Sequence, residues 1–331
     1  MRMSNVAKKI FLIILIVISL CFFCGCGANV SSTTKSSITT SGNTEITSVT
    51  TSAVVFDYIN NTLPTNQIIR FELTGANQFW FWNGPPVFSP NGNEMYFTKI
   101  FSSWDESEIW YLEKINGVWS TSKKLVIEGI SGYTLCPVFV SNPDEMYFMN
   151  LSLAGTRQIY KVKKIDGIWS NPEVMNVNLP SGTELGCRFS ISDNGNIYFT
   201  LLSANADEYE KIYFSKYEDG IYSNPTEISS INGTYYGNGS PYIAPDESYI
   251  IFDSGRSSSL GVQDLYVSFR DELGNYQAPI NLGSIVNTVD EEGWVLVSED
   301  GLYLFFCAKK SGDAFYSPYW ILLDEIPALQ N

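Results

Sequence analysis

The chain has 331 residues, with 35 Asp and Glu against 20 Lys and Arg, a net charge of −15 and no histidine. An excess of that sign repels phosphate backbones and anionic lipid, which sets nucleic acid aside as a partner. Without imidazole, Ser-His-Asp and Cys-His catalysis are ruled out, as are the usual zinc sites.

In chain order, residues 1–26 read as an export signal: Arg2, Lys8 and Lys9, then the apolar run "IFLIILIVISLCFF", then "CGC". The run is too short and too N-terminal to favour a permanent span. Its end, Phe23-Cys24-Gly25-Cys26, resembles the bacterial lipobox, with Phe23 where Leu is usual. That resemblance implies lipidation at Cys26 and a chain anchored by lipid on the extracytoplasmic side of a bacterial membrane. Ordinary secretion or an uncleaved anchor is the alternative. Residues 27–54 are nearly all Ser, Thr, Asn and Gly, too polar to bury a core, and read as a disordered tether. By square-root scaling a flexible segment of that length reaches about 30 Å.

Residues 55–331 are rich in Tyr, Phe, Trp, Ile and Val and contain no periodic run long enough for a substantial helix, so a mostly β domain is expected. It repeats. "PVFSPNGNEMYF" (86–97) is followed by "PVFVSNPDEMYF" (137–148), "RFSISDNGNIYF" (188–199), "PYIAPDESYIIF" (241–252) and "VLVSEDGLYLFF" (295–306), with starts 51, 51, 53 and 54 residues apart. Each block is a strand, a turn of Pro, Asn, Asp or Gly, and a second strand ending in Phe. A third strand follows, in which alternation places Trp110, Tyr160, Tyr213, Tyr266 and Tyr316 in matching positions. Next come the turn pairs Asn116-Gly117, Asp166-Gly167, Asp219-Gly220 and Gly274-Asn275, each closely followed by an aromatic residue.

Four antiparallel strands repeated radially make a β-propeller blade, and a blade cannot bury both faces alone. The fifth unit ends after its third strand, near Trp320. The segment "QIIRFELTG", with Leu73 in the position of Lys124, Met175, Ile228 and Leu282, is therefore expected to supply the missing fourth strand. Five blades closed by the N-terminal strand is the expectation; a sixth, degenerate blade is the alternative.

"FSPNGNEMYF", "APDESYIIF", "VSEDGLYLFF" and "QDLYVSFRDELGNYQAPINLG" resemble the TolB-type, WD-like propeller repeat of exported bacterial proteins, across about residues 67–320. The departures are Asn91 for the turn Asp, Pro143 near the turn Gly, and Arg188 for the leading Pro. The resemblance implies the fold and says little about activity. Asn91, Asp193, Asp246 and Asp300 are expected to bond their own turn backbones. No loop has the alternating oxygen ligands of an EF-hand, and no metal or cofactor is implied.

In such a fold the first strands line the central channel, and their starts carry no carboxylate. Glu292 lies within three residues of one, with Glu184, Asp290 and Glu291 farther out. A glycosidase needs two facing carboxyl groups about 5–9.5 Å apart, a pair that Glu184 and Glu292 would have to form. The candidate ligand contacts at the channel mouth are Trp80, Trp82, Arg188, Glu292 and Trp294, because exposed tryptophans suit sugar faces or peptides and a charge near the axis needs a counterpart. Cys136 and Cys187 occupy equivalent places in adjacent repeats and are expected to be free buried thiols. A lipid-anchored monomer of the cell envelope that binds a glycan, a peptide or another envelope protein is the leading expectation. A carbohydrate-active enzyme is the alternative.

Overall fold

The computed structural model describes residues 58–59, 61–72, 81–82, 84–101, 106–203, 209–233 and 237–330, with backbone alone at 81–82. The expected signal, Cys26, the tether, Leu73 and Trp80 lie outside these residues, as does the side chain of Trp82. The described chain is a five-bladed β-propeller.

Blade two shows the unit. Its inner strand Tyr133–Phe139 pairs with Glu145–Leu151, which pairs with Arg157–Ile165, which pairs with Glu173–Val174. Blade three repeats this order with Thr183–Ile191, Ile197–Ser203, Lys211–Ser215 and Thr226–Glu227. Blade four has Asn238–Ile243, Tyr249–Ser254, Asp264–Phe269 and Ile280–Asn281. In blade one, Phe81–Trp82 and Val87–Phe88 both pair with Glu94–Ile100, followed by Ser107–Ile115 and Lys123–Lys124. The turn pairs Asn116-Gly117, Asp166-Gly167 and Asp219-Gly220 close hairpins at the outer edges of blades one, two and three. Asn116 and Gly117 sit at φ 51° and 79°, and Asp166 and Gly167 at 50° and 79°, the positive pair that a two-residue hairpin turn requires.

The ring closes as expected. Blade five consists of Glu291–Val297, Tyr303–Lys309, Ser317–Leu322 and the N-terminal Ile69–Arg70, in which Ile69 lies opposite Trp320 and Arg70 opposite Tyr319. The structural position of Leu125, Ile228 and Leu282 is filled by Phe71, whose N–H bonds the carbonyl of Pro318 at 2.9 Å, and not by Leu73 two residues later. The third-strand column needs a correction too. Trp110, Tyr160, Tyr213 and Tyr266 lie opposite Phe97, Phe148, Phe199 and Phe252, but Phe306 lies opposite Tyr319. Tyr316 falls three residues earlier, before the strand begins.

The core is distributed as five apolar clusters, one in each gap between neighbouring blades. The closing gap joins Phe88, Phe97 and Leu112 of blade one to Tyr303, Phe305 and Trp320 of blade five. Tyr58 is wedged there, its ring 5.2 Å from both Phe88 and Trp320 and its hydroxyl donating to Asp300 at 2.6 Å. Sequence periodicity gave no sign of it, because it stands outside the repeat. The turn side chains of Asn91, Asp246 and Asp300 accept from the backbone N–H two residues on. Asp193 instead receives the hydroxyl of Ser141 in the neighbouring blade, at 3.4 Å.

Candidate functional site

The channel takes its shape from a bulge in the inner strands. Pairing shifts register between Leu135 and Val138, Leu185 and Phe189, Gly239 and Tyr242, and Gly293 and Leu296. At the bulge Cys136, Ser240 and Trp294 take φ of 54°, 45° and 49°, conformations that cost a non-glycine residue energy and re-aim its neighbours. The second strand of the preceding blade supports two of these bulges. The N–H of Cys136 donates to Thr98 Oγ1 at 3.0 Å, and the N–H of Trp294 to Asp253 Oδ2 at 3.4 Å.

Arg188 stands on the bulge of blade three, and its guanidinium reaches across the axis. It occupies the space beside Gly84 in blade one, and its charge acts on Cys136, Asp253 and Cys307 in blades two, four and five. Two chambers meet at this residue, of about 350 Å³ on the side where inner strands begin and about 360 Å³ on the side of the hairpin turns.

The first, the inlet chamber, is lined by several charged and polar residues and two aromatic rings. Trp294 stands on its wall with Tyr316 edge-on at 4.1 Å, and the Tyr316 hydroxyl bonds Glu291. Glu210, Asp253 and Gln263 also line the wall, with Arg188 where the two chambers meet. Asp253 is 2% exposed; burial pushes its carboxyl up, and Ser240, the Trp294 N–H, Gln263 and the Arg188 charge pull it back. Burial and the Asp253 charge together lift Glu210 to about 7, against the opposing pull of Thr200 and Arg157. Glu292 is 1% exposed and committed to Thr288, accepting from its N–H at 3.1 Å and its hydroxyl at 2.5 Å.

Of the residues expected at the mouth, Arg188, Glu292 and Trp294 come together on this chamber. Trp80 is outside the described residues, and the backbone of Trp82 pairs with Lys99 in blade one. Glu184 is exposed, 3.7 Å from Arg157, and takes no part in the wall, so Glu184 and Glu292 do not face each other across an open cleft. The inner strands do carry carboxylates, because four of them start earlier than the repeat blocks and two of these include Glu184, Glu291 and Glu292.

Glu210, Asp253, Gln263 and Tyr316 were not found by reading first strands. Three of them form a column of their own. Glu210, Gln263 and Tyr316 each lie three residues before the third-strand aromatic, at the place of Ser107 and Arg157 in blades one and two. Asp253 follows the last Phe of its block, where the other blades have Thr98, Met149, Thr200 and Cys307. Its signal was a lone charge in an otherwise uncharged column.

Cys136, Cys187 and Cys307 are not joined in disulfides. Cys136 is buried, its thiol donating to the carbonyl of Cys187 at 2.7 Å; burial raises it to about 11. Cys187 is exposed on the inlet chamber, contrary to the expectation of two buried thiols. Among the described residues no group of three His, Cys, Asp or Glu is placed to hold a metal ion, and no helix is long and apolar enough to cross a membrane.

No protein-family model matches the chain, and no curated protein does. Among solved structures, a candidate TolB from Agrobacterium tumefaciens is 16% identical with a TM-score of 0.50, over 73% of this chain and 77% of that one. TolB from Acinetobacter baumannii is 17% identical with a TM-score of 0.41, over 71% of this chain and 53% of that one. The α-L-arabinofuranosidase PaAbf62A from Podospora anserina is 10% identical with a TM-score of 0.46, over 78% and 98%. The last two superpose too loosely to bear on function. At such identity the first likeness carries the fold alone, and in it the TolB-type resemblance read from the repeats has a counterpart of known structure.

Proposed function

We propose that the chain is a ligand-binding propeller of the bacterial envelope, lipid-anchored at Cys26, which holds a compact polyhydroxylated ligand, a sugar unit, in the inlet chamber. One observation carries this reading: the Trp294 and Tyr316 rings and the polar side chains of Glu210, Asp253 and Gln263 line one space of about 350 Å³. Aromatic rings sharing a chamber with a few acceptors and donors are what the apolar face and hydroxyl edge of a sugar ring need. The test is a glycan array followed by calorimetry on the leading hit. Trp294→Ala should weaken binding at least 10-fold with the fold intact. A chain that binds no glycan, or a Trp294→Ala variant that binds as well as the parent, refutes the reading.

One observation favours hydrolysis as a second reading. Glu210, lifted to about 7, is half protonated near neutral pH beside other carboxyl groups in an open chamber, which is the condition of a general acid. Turnover of aryl glycosides that Glu210→Gln abolishes would support it; binding without turnover would leave the binding module alone.

A further inference from the structure

The chamber on the hairpin side differs in character from the inlet. Each blade contributes one apolar residue, Val87, Val138, Phe189, Tyr242 and Leu296, the last four just beyond the bulge, and these five make a ring around a shaft of about 360 Å³. Four of the five keep part of their surface accessible although they lie at the centre of the domain, the exposure coming from the shaft itself. The two ends are charged with opposite sign. Arg188 stands at the inner end, and Asp193 and Glu299, on the turns of blades three and five, stand at the outer one.

We infer that this shaft is a second binding site, and that its ligand is a short apolar peptide with free ends, the carboxylate directed at Arg188 and the ammonium held between Asp193 and Glu299. At mid-shaft the side chains of Val87, Val138, Phe189 and Leu296 offer no hydrogen bonds to a sugar's hydroxyls, whereas a peptide of small aliphatic residues buries its side chains against them. Arg188 presents a planar fork of donors suited to a carboxylate. Asp193 follows Arg188 by five residues on the same strand and turn, about 16 Å at strand rise. A tripeptide spans about 10 Å, and the Arg188 and Glu299 side chains reach inward to meet its ends. A fatty acid would satisfy Arg188 and leave the acidic rim without a cation. Burial by the surrounding walls, and then the charges of Asp193 and Asp300, push the Glu299 carboxyl up to about 8. An ammonium placed there would relieve this.

The test titrates full-length protein in detergent with Leu-Ala-Leu, its N-acetyl form, its C-terminal amide, and decanoate. Leu-Ala-Leu is expected to bind, with either blocked form at least 5-fold weaker and decanoate weaker still. Val138→Trp should fill the shaft and abolish binding. If that variant fails to fold, Glu299→Gln at the water-exposed rim serves instead: it should weaken the free peptide several-fold and leave the N-acetyl peptide unchanged. Trp294→Ala, in the other chamber, should not alter the titration, so failure of the sugar reading and failure of this one are separable. Equal affinity for the free and amidated peptides, tighter binding of decanoate, or no binding by folded protein would overturn the inference.

Discussion

The guanidinium of Arg188 fills the space that a side chain on Gly84 would require: a Cβ there would fall 1.9 Å from Nη2 and 2.6 Å from Cζ. The two residues belong to blades one and three, so a single side chain spans the axis and divides the channel into its two chambers. An arginine suits that place because its guanidinium is weakly hydrated, stays charged, and can bond in several directions within one plane. The nearby Asp253 carboxyl carries the opposite charge, which lowers the cost of holding either in the interior.

Gly84→Ala should therefore be more than a lost hydrogen. Gly84 has φ of 121°, where a residue with a Cβ is strained, and the new methyl group must also displace the guanidinium. A loss of about 1–2 kcal/mol is expected, which for a domain of this size is a fall in Tm of roughly 3–8 °C. Arg188→Ala in the same chain should restore part of it by vacating the site. A double-mutant cycle with no coupling between the two positions would show that they do not compete for this space.

Ring closure predicts an outsized role for a residue near the chain's start. Phe71 is 2% exposed, lies 5.6 Å from Phe305 and from Trp320, and ties its N–H to Pro318. Phe71→Ala should cost about 3–5 kcal/mol, as large-to-small changes in a core do. Ile115→Ala, at an outer hairpin where the side chain is 53% exposed, should stay within about 0.5 kcal/mol. Urea melts of the two variants provide the comparison, and similar midpoints would mean that the N-terminal strand is not what holds blade five together.

Most of the fold was legible because its signals are local. The spacing of Phe97, Phe148, Phe199, Phe252 and Phe306 fixed the hairpins, and Asn116-Gly117 and Asp166-Gly167 fixed the outer turns through their need for positive φ. Register failed where two aromatics competed for one column. In "FYSPYW" both Tyr316 and Tyr319 suit a strand, and only pairing with Phe306 decides for Tyr319. Phe71 likewise takes the place that residue spacing assigns to Leu73, a choice set by its N–H bonding the carbonyl of Pro318. The inlet chamber was the least legible part, because Glu210, Gln263 and Tyr316 follow connections of unequal length between second and third strands, and their alignment appears only when those strands are paired. Asp253 lay within a column that could have been read, one residue after each terminal Phe.

The cysteines should separate by reactivity. Burial pushes the thiols of Cys136 and Cys307 up to about 11 and about 12, which removes both the thiolate and the access that alkylation needs. Cys187 is exposed on the inlet chamber. Brief treatment of native protein with a maleimide, followed by peptide mapping, should modify Cys187 and spare Cys136 and Cys307, with all three modified in denaturant. Because Cys187 adjoins Arg188, the labelled protein should also lose ligand binding at the inlet. Modification of Cys136 at a comparable rate would contradict its burial and its bond to the Cys187 carbonyl.

Two carboxyl groups should drive stability in opposite directions with pH. Glu210 sits at about 7, raised above its unfolded value chiefly by burial, so the fold prefers it protonated. Its penalty is absent below the unfolded pKa and grows as the pH rises through about 7. Glu247 is held below its ordinary value. Burial opposes this, but the hydrogen bonds from Ser192 and Asn196 at 2.8 and 2.5 Å and the Arg270 guanidinium at 2.6 Å outweigh it. The stabilisation it gives is present above the unfolded pKa and is lost as the pH falls through the folded one. Glu210→Gln should accordingly raise Tm at pH 8, by roughly 2–4 °C, and leave it nearly unchanged at pH 5. Glu247→Gln should lower Tm at pH 7, because it leaves Arg270 without its partner, and the deficit should shrink in acid. Thermal melts across pH 4–8 check both, and a Glu210→Gln variant less stable than the parent at pH 8 would mean that this carboxyl is charged and paired in the folded chain.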